Sequence, residues 1–180
     1  ALEILSVGNE VRVVGSVQYY ELGGTYQISG IIYNVRKPDD PNNSKLISEG
    51  NTASYVETDV NKFVNGTVSV IVNEDGEEVM KEFRYAELAL GTTVSMNDLK
   101  VTRVYTTTNE DSSQKGAMTL TCVVNGTTVS VRTSVLYDQN GDLVTEDYFD
   151  GKTIDVRGVV DSFDGDYQIR VTTLGDITVH

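Results

Sequence analysis

The chain has no tryptophan, one histidine, one cysteine and two prolines in 180 residues. Each scarcity excludes something. A single cysteine, Cys122, can form neither an internal disulfide nor a cysteine metal cluster. It lies in the apolar run 120–124, which points to a buried, inert thiol. The lone histidine is His180, the last residue, so a Ser-His-Asp or Cys-His arrangement is not expected. A zinc site needs several nitrogen or sulfur ligands, which the composition does not supply. No glycine-rich phosphate loop appears, because Gly23-Gly24 lacks a following Lys-Ser/Thr. No apolar run approaches the ~18 residues of a membrane span, and no signal-peptide pattern is seen. If the protein is exported, the targeting segment lies outside this chain. Basic residues are also scarce, 14 against 27 acidic ones, for a formal net charge of −13. That excess repels a phosphate backbone at long range and suits a solvated surface.

What the chain does have is a stretch that occurs twice. Residues 8–28 read G-N-E-V-R-V-V-G-S-V-Q-Y-Y-E-L-G-G-T-Y-Q-I, and residues 151–169 read G-K-T-I-D-V-R-G-V-V-D-S-F-D-G-D-Y-Q-I. Gly8, Val13, Gly15 and Val17 match Gly151, Val156, Gly158 and Val160 at one offset. Tyr26-Gln27-Ile28 match Tyr167-Gln168-Ile169 two residues earlier, a slip that falls in the turn, where length changes are tolerated. The repeat predicts two β domains of one kind in tandem.

Apolar-polar alternation dominates elsewhere. The first domain is expected over 1–90. It holds a glycine-centred strand, a turn at 22–24, a return strand over 25–33, a long exposed loop at 35–50, and a hairpin over 66–85 around Glu74-Asp75-Gly76-Glu77. A short helical turn is expected at 85–91. The second domain is expected over 91–180. Its strands are 99–106, 117–124, 127–136, 153–163 and 166–173, with Asn125-Gly126 a strong hairpin signal. The expected fold class is all-β, as tandem small β domains. The second is an OB-like five-stranded Greek-key barrel. The first is a partial or permuted relative, its strands covered by the 66–85 hairpin.

The run G-K-T-I-D-V-R-G-V-V-D-S-F-D-G-D-Y-Q-I-R-V, followed by Asp176-Ile177, resembles the last two strands of OB-fold modules. Such modules occur in secreted and surface proteins of Gram-positive gut bacteria, some beside extracellular nucleases. The resemblance implies a non-catalytic binding or spacer module of a larger exported bacterial protein, extracellular or at the cell surface. The alternatives are a single-stranded nucleic-acid-binding accessory to a secreted nuclease, and a carbohydrate-binding module. An oligonucleotide or oligosaccharide is then the expected partner class, with other domains of a longer parent chain. No enzymatic activity, catalytic residue, cofactor or metal is expected.

The OB fold also implies a ligand face on its second and third strands. The nearest candidates there are Arg103, Tyr105, Arg132, Phe163, Tyr167 and Arg170. Asp138-Gln139-Asn140-Gly141-Asp142 resembles the opening of a calcium loop, but Leu143 stands where glycine is needed and Phe149 where the bidentate glutamate belongs. A turn between strands is the reading preferred. Asp161, Asp164 and Asp166 cluster at the last hairpin turn, a weak candidate for a surface cation.

Overall fold

The computed structural model describes residues 2–21 and 25–180, so the turn expected at 22–24 lies outside the described residues. The chain is nearly all β. It divides into two compact units, 1–54 with 163–165, and 55–162 with 166–180.

Among the described residues the first unit has the strands β1 (Glu10–Arg12), β2 (Ser16–Tyr20), β3 (Thr25–Ser29) and β4 (Lys45–Ser48). β2 and β3 form an antiparallel hairpin with Val17 opposite Ile28 and Tyr19 opposite Tyr26. β1 pairs antiparallel with β4, Val11 opposite Leu46. The loop expected over 35–50 is therefore shorter, because 45–48 is a strand. Its ordering comes from Asn43, which is buried. The Asn43 amide accepts from the Asn34 N–H at 2.7 Å and donates to the Asn34 and Lys37 carbonyls at 3.0 and 2.9 Å. Arg12 donates to the Asp40 and Asn43 carbonyls at 3.0 and 2.8 Å. Backbone groups that solvent would otherwise satisfy are thus paired within the loop.

The second unit begins with β5 (Val56–Glu57), α1 (Val60–Asn65), the hairpin β6 (Thr67–Glu74) and β7 (Glu77–Arg84), and α2 (Tyr85–Leu88). Then come β8 (Thr93–Thr106), β9 (Met118–Val124), β10 (Thr127–Thr133), β11 (Thr153–Phe163), β12 (Asp166–Val171) and β13 (Ile177–Val179). Five strands close on themselves in the order β8-β9-β10-β12-β11-β8, with β10 and β12 parallel and the β8–β11 pair sealing the barrel. This is the five-stranded OB-like barrel the pattern predicts. The turn between β9 and β10 is Asn125-Gly126, both at positive φ (48° and 82°), as a two-residue hairpin of this hand requires.

Period-two alternation sends Met118, Leu120 and Cys122 inward from β9. It does the same for Val129, Val131 and Thr133 from β10, Ile154, Val156 and Val160 from β11, and Ile169 and Val171 from β12. Thr133 is the polar exception, and its hydroxyl accepts the Met118 N–H at 3.0 Å. Connectors complete the core. Leu136, Val144 and Phe149 come from the segment between β10 and β11, and Val60, Phe63, Ala86 and Ala89 from α1, α2 and the residue after it. The units consequently divide at 54/55 rather than at the expected 90/91. The 67–84 hairpin belongs to the barrel's unit, and in the first unit Val17, Tyr19, Tyr26 and Ile28 are all exposed.

Cys122 is fully buried, and burial pushes its thiol up to about 12. It is expected to resist thiol reagents in the native protein and to react stoichiometrically in denaturant. Rapid native labelling would place it elsewhere.

The internal repeat is also a repeat of structure. β11-β12-β13 in the second unit correspond to β1/β2-β3-β4 in the first. Ile154 faces Val179 and Asp155 faces Thr178, as Val11 faces Leu46 and Arg12 faces Lys45. The two central glycines make the same close approach. A Cβ on Gly15 would lie 2.7 Å from Ile28 Cγ2 and 2.8 Å from the Ser29 carbonyl. On Gly158 it would lie 2.7 Å from Ile169 Cγ2 and 2.5 Å from the Arg170 carbonyl. These neighbours are equivalent residues of the two copies.

Candidate functional site

Register places four side chains in a row across the outside of the barrel. Tyr105 on β8 lies opposite Thr119 on β9, Thr119 opposite Arg132 on β10, and Arg132 beside Arg170 on β12. The next row on the same face is Arg103, Thr121, Ser130 and Gln168. A β-bulge builds this face. The β8–β9 register shifts between Val101 and Arg103. Simple alternation would send Val101, Arg103 and Tyr105 the same way. Instead Val101 is buried while Arg103 and Tyr105 are exposed. An extra residue in one strand re-aims those that follow it.

Arg132 is the fixed point of the strip. It is half-buried, and its guanidinium donates to Thr119 Oγ1 and Thr107 Oγ1, both at 3.0 Å. Thr107 opens the loop after β8, so this arginine ties the sheet to the loop that flanks the face. Burial lowers the Arg132 pKa, repulsion from Arg170 adds to that, and Tyr105 opposes it. Arg170 pairs with Asp161 on β11 at 3.5 Å, which also accepts from Gln168 Nε2 at 3.3 Å. Arg103 makes no ion pair among the described residues. Three guanidinium groups thus share two adjacent rows with one ion pair, to Asp161, among the described residues, while the chain as a whole carries −13.

Four of the six residues named from the sequence meet here: Arg103, Tyr105, Arg132 and Arg170. Tyr167 does not. It alternates with Gln168 and Arg170 along β12 and turns the other way, beneath the Arg84 guanidinium at 4.6 Å. There it lines a cleft of about 230 Å3 with Phe63, Thr128, Ser130 and Asp166. Phe163 is exposed, on the hairpin tip that groups with the first unit. Sequence reasoning missed Thr107, Thr119 and Asp161 as members of the strip. Two-residue spacing along β9 was a signal for Thr119.

The remaining acidic features are structural. Asp138 accepts the Asp142 and Asn140 N–H groups at 2.9 and 2.8 Å, and those bonds hold its carboxyl below the usual carboxylate range. The segment is a turn, closed by the Tyr137–Leu143 bridge. Asp161 is committed to Arg170 and Gln168 rather than to a cation cluster with Asp164 and Asp166. His180 meets Asp155 at 2.9 Å. Burial raises the Asp155 carboxyl, but the Asp98 N–H at 2.9 Å and His180 outweigh it and leave the pKa lowered. Among the described residues, no group of three or more His, Cys, Asp or Glu is placed to hold a metal ion. No helix among them is long and apolar enough to cross a membrane. In comparisons with known proteins, no family model matches the chain and no curated protein matches it.

Proposed function

We propose that the chain is a non-catalytic binding module of a larger exported bacterial protein. Its barrel takes an anionic, extended ligand, single-stranded nucleic acid, on the strip of Arg103, Tyr105, Arg132 and Arg170. The observation that carries this reading is the register that puts three arginines and an exposed tyrosine on adjacent strands of one face. Single strands are bound by positive grooves that follow the backbone and by aromatic rings on which bases stack. The net charge of −13 repels an anion at long range, so a local cluster of arginines is what could receive one. The extracellular setting rests on the likeness to OB modules of Gram-positive surface proteins. The carbohydrate alternative has less support. Tyr19 and Tyr26 are exposed with centroids 5.1 Å apart, but their planes are tilted by 54°. A sugar-stacking platform needs coplanar rings.

The test is a fluorescence-anisotropy titration with labelled oligo-dT at low salt. Binding is expected, with log K falling against log salt at a slope of about −2, the value for three neutralised phosphates on a single strand. Arg103→Ala and Arg170→Ala are each expected to flatten that slope by about 0.7. Tyr105→Ala is expected to weaken binding by about 1–3 kcal/mol without altering the slope. Failure to bind, or binding indifferent to all three substitutions, would leave the spacer role.

A further inference from the structure

The two copies of the repeat differ in what lies over them. In the second unit, Val160 and Ile169 are fully buried and Tyr167 packs partly against the core. Their counterparts Val17, Ile28 and Tyr26 are 71%, 55% and 74% exposed. Tyr19, opposite Tyr26, joins them on the same face of the hairpin. The backbone edges differ likewise. β11 pairs with β8, and β12 pairs parallel with β10. Among the described residues, β1 pairs only with β4, and β2 and β3 pair only with each other. The first unit therefore holds the closing segment of a barrel, with register and glycine contact intact, but not the sheet it closes. A contiguous apolar face beside open strand edges marks an interaction surface.

We infer that Val17, Tyr19, Tyr26 and Ile28 form half of an interface. The other half is a three-stranded antiparallel sheet equivalent to β8–β9–β10, carried by the stretch of the parent chain that precedes this one. The complete copy identifies the occupant. Its three covering strands bury the equivalent side chains and pair with the equivalent strands. Chain order identifies the source. In the second unit these strands lie at 93–133 and reach β11 through the connector 134–152. The same order places the missing sheet N-terminal to β1. The parent protein would then carry at least two OB-like barrels in series, sharing the β11–β12–β13 pattern. This inference concerns the first unit and does not depend on the arginine strip, so either can fail alone.

The experiment compares this chain with a version extended N-terminally by the preceding part of its parent. Val17→Cys and Ile28→Cys are introduced separately in both, and native labelling by a maleimide is timed. Fast labelling is expected in the present chain. In the extended chain the rate is expected to drop by at least about 100-fold, the signature of a site reached only through a rare opening. Hydrogen exchange on the unsubstituted proteins gives a second readout, with the β3 amides protected only in the extended chain. Equal labelling and exchange in the two chains would overturn the proposal. So would labelling in the present chain that slows as its concentration rises, because a second copy would then own the face. A parent with no preceding stretch able to form three strands would also end it.

Discussion

Replacing Phe63 by alanine is expected to destabilise the barrel unit by about 3–5 kcal/mol, the cost of emptying a well-packed aromatic site. Phe63 is 1% exposed and belongs to the same core as Met96, Leu120 and Ile169. It stands on α1, a helix of six residues, too short to persist alone. The helix is held by its Asp59 cap, which accepts the Lys62 N–H at 2.9 Å, and by Lys62 over the Tyr85 ring at 4.5 Å. Those terms are modest, about 1 kcal/mol for the cap, so burial of Phe63 must supply most of the anchoring. Urea unfolding followed by tyrosine fluorescence measures the loss. Val64→Ala, at the next and partly exposed position, serves as control and is expected to cost under about 1 kcal/mol. A Phe63→Ala protein as stable as the Val64→Ala protein would mean that α1 only decorates the barrel. The division at 54/55 would then lose its physical basis. With Phe63 in the core, a chain begun at residue 91 should fold poorly, because it lacks Val60, Phe63, Ala86 and Ala89 together.

Much of this architecture is legible in the sequence because β structure announces itself locally. Alternation through 117–124 and 127–136 gives the inward residues of β9 and β10, and Asn125-Gly126 gives their turn. The repeat gives the glycine-kinked hairpins, and the structure shows Gly15 and Gly158 meeting equivalent atoms. What stayed hidden depends on distant partners. α1 spans under two turns, so no helical period can form over 60–65. β4 is four residues with no pattern of its own; β1 and the amide of Asn43 make it a strand. The domain boundary was misplaced because the repeat marks where barrels end, not where the plugs of their open ends originate. Arg103 and Tyr105 were legible as residues of β8, but their orientation was invisible. It turns on a bulge at Thr102, and alternation alone would have put both on Val101's buried side. Tyr167 shares β12 with Arg170 but lies three residues from it, and an odd spacing along a strand means opposite sides.

Gly158→Ala is expected to cost about 3 kcal/mol, the upper range for forcing atoms into a filled core. The added Cβ would sit 2.5 Å from the Arg170 carbonyl oxygen and 3.1 Å from its carbon. Those atoms are backbone of β12, and β12 is held on its other side by parallel pairing with β10. Relief by moving Arg170 therefore strains the β10–β12 pair, while relief within β11 disturbs Val156 and Val160, both buried. Gly15→Ala meets the same two neighbours in the first unit, with a different outcome. Ile28 is half exposed and free to turn, and β3 has no second partner strand among the described residues. That substitution is expected to cost less, about 1 kcal/mol, the lower end of the range for overpacking. Hydrogen exchange resolved by segment separates the two effects, since the units need not unfold together. Equal losses at both glycines would mean the close approach alone sets the cost. A large gap would show that the closed barrel turns a tolerable contact into an intolerable one. If an extension that completes the first unit then raised the cost of Gly15→Ala towards that of Gly158→Ala, closure would be the cause.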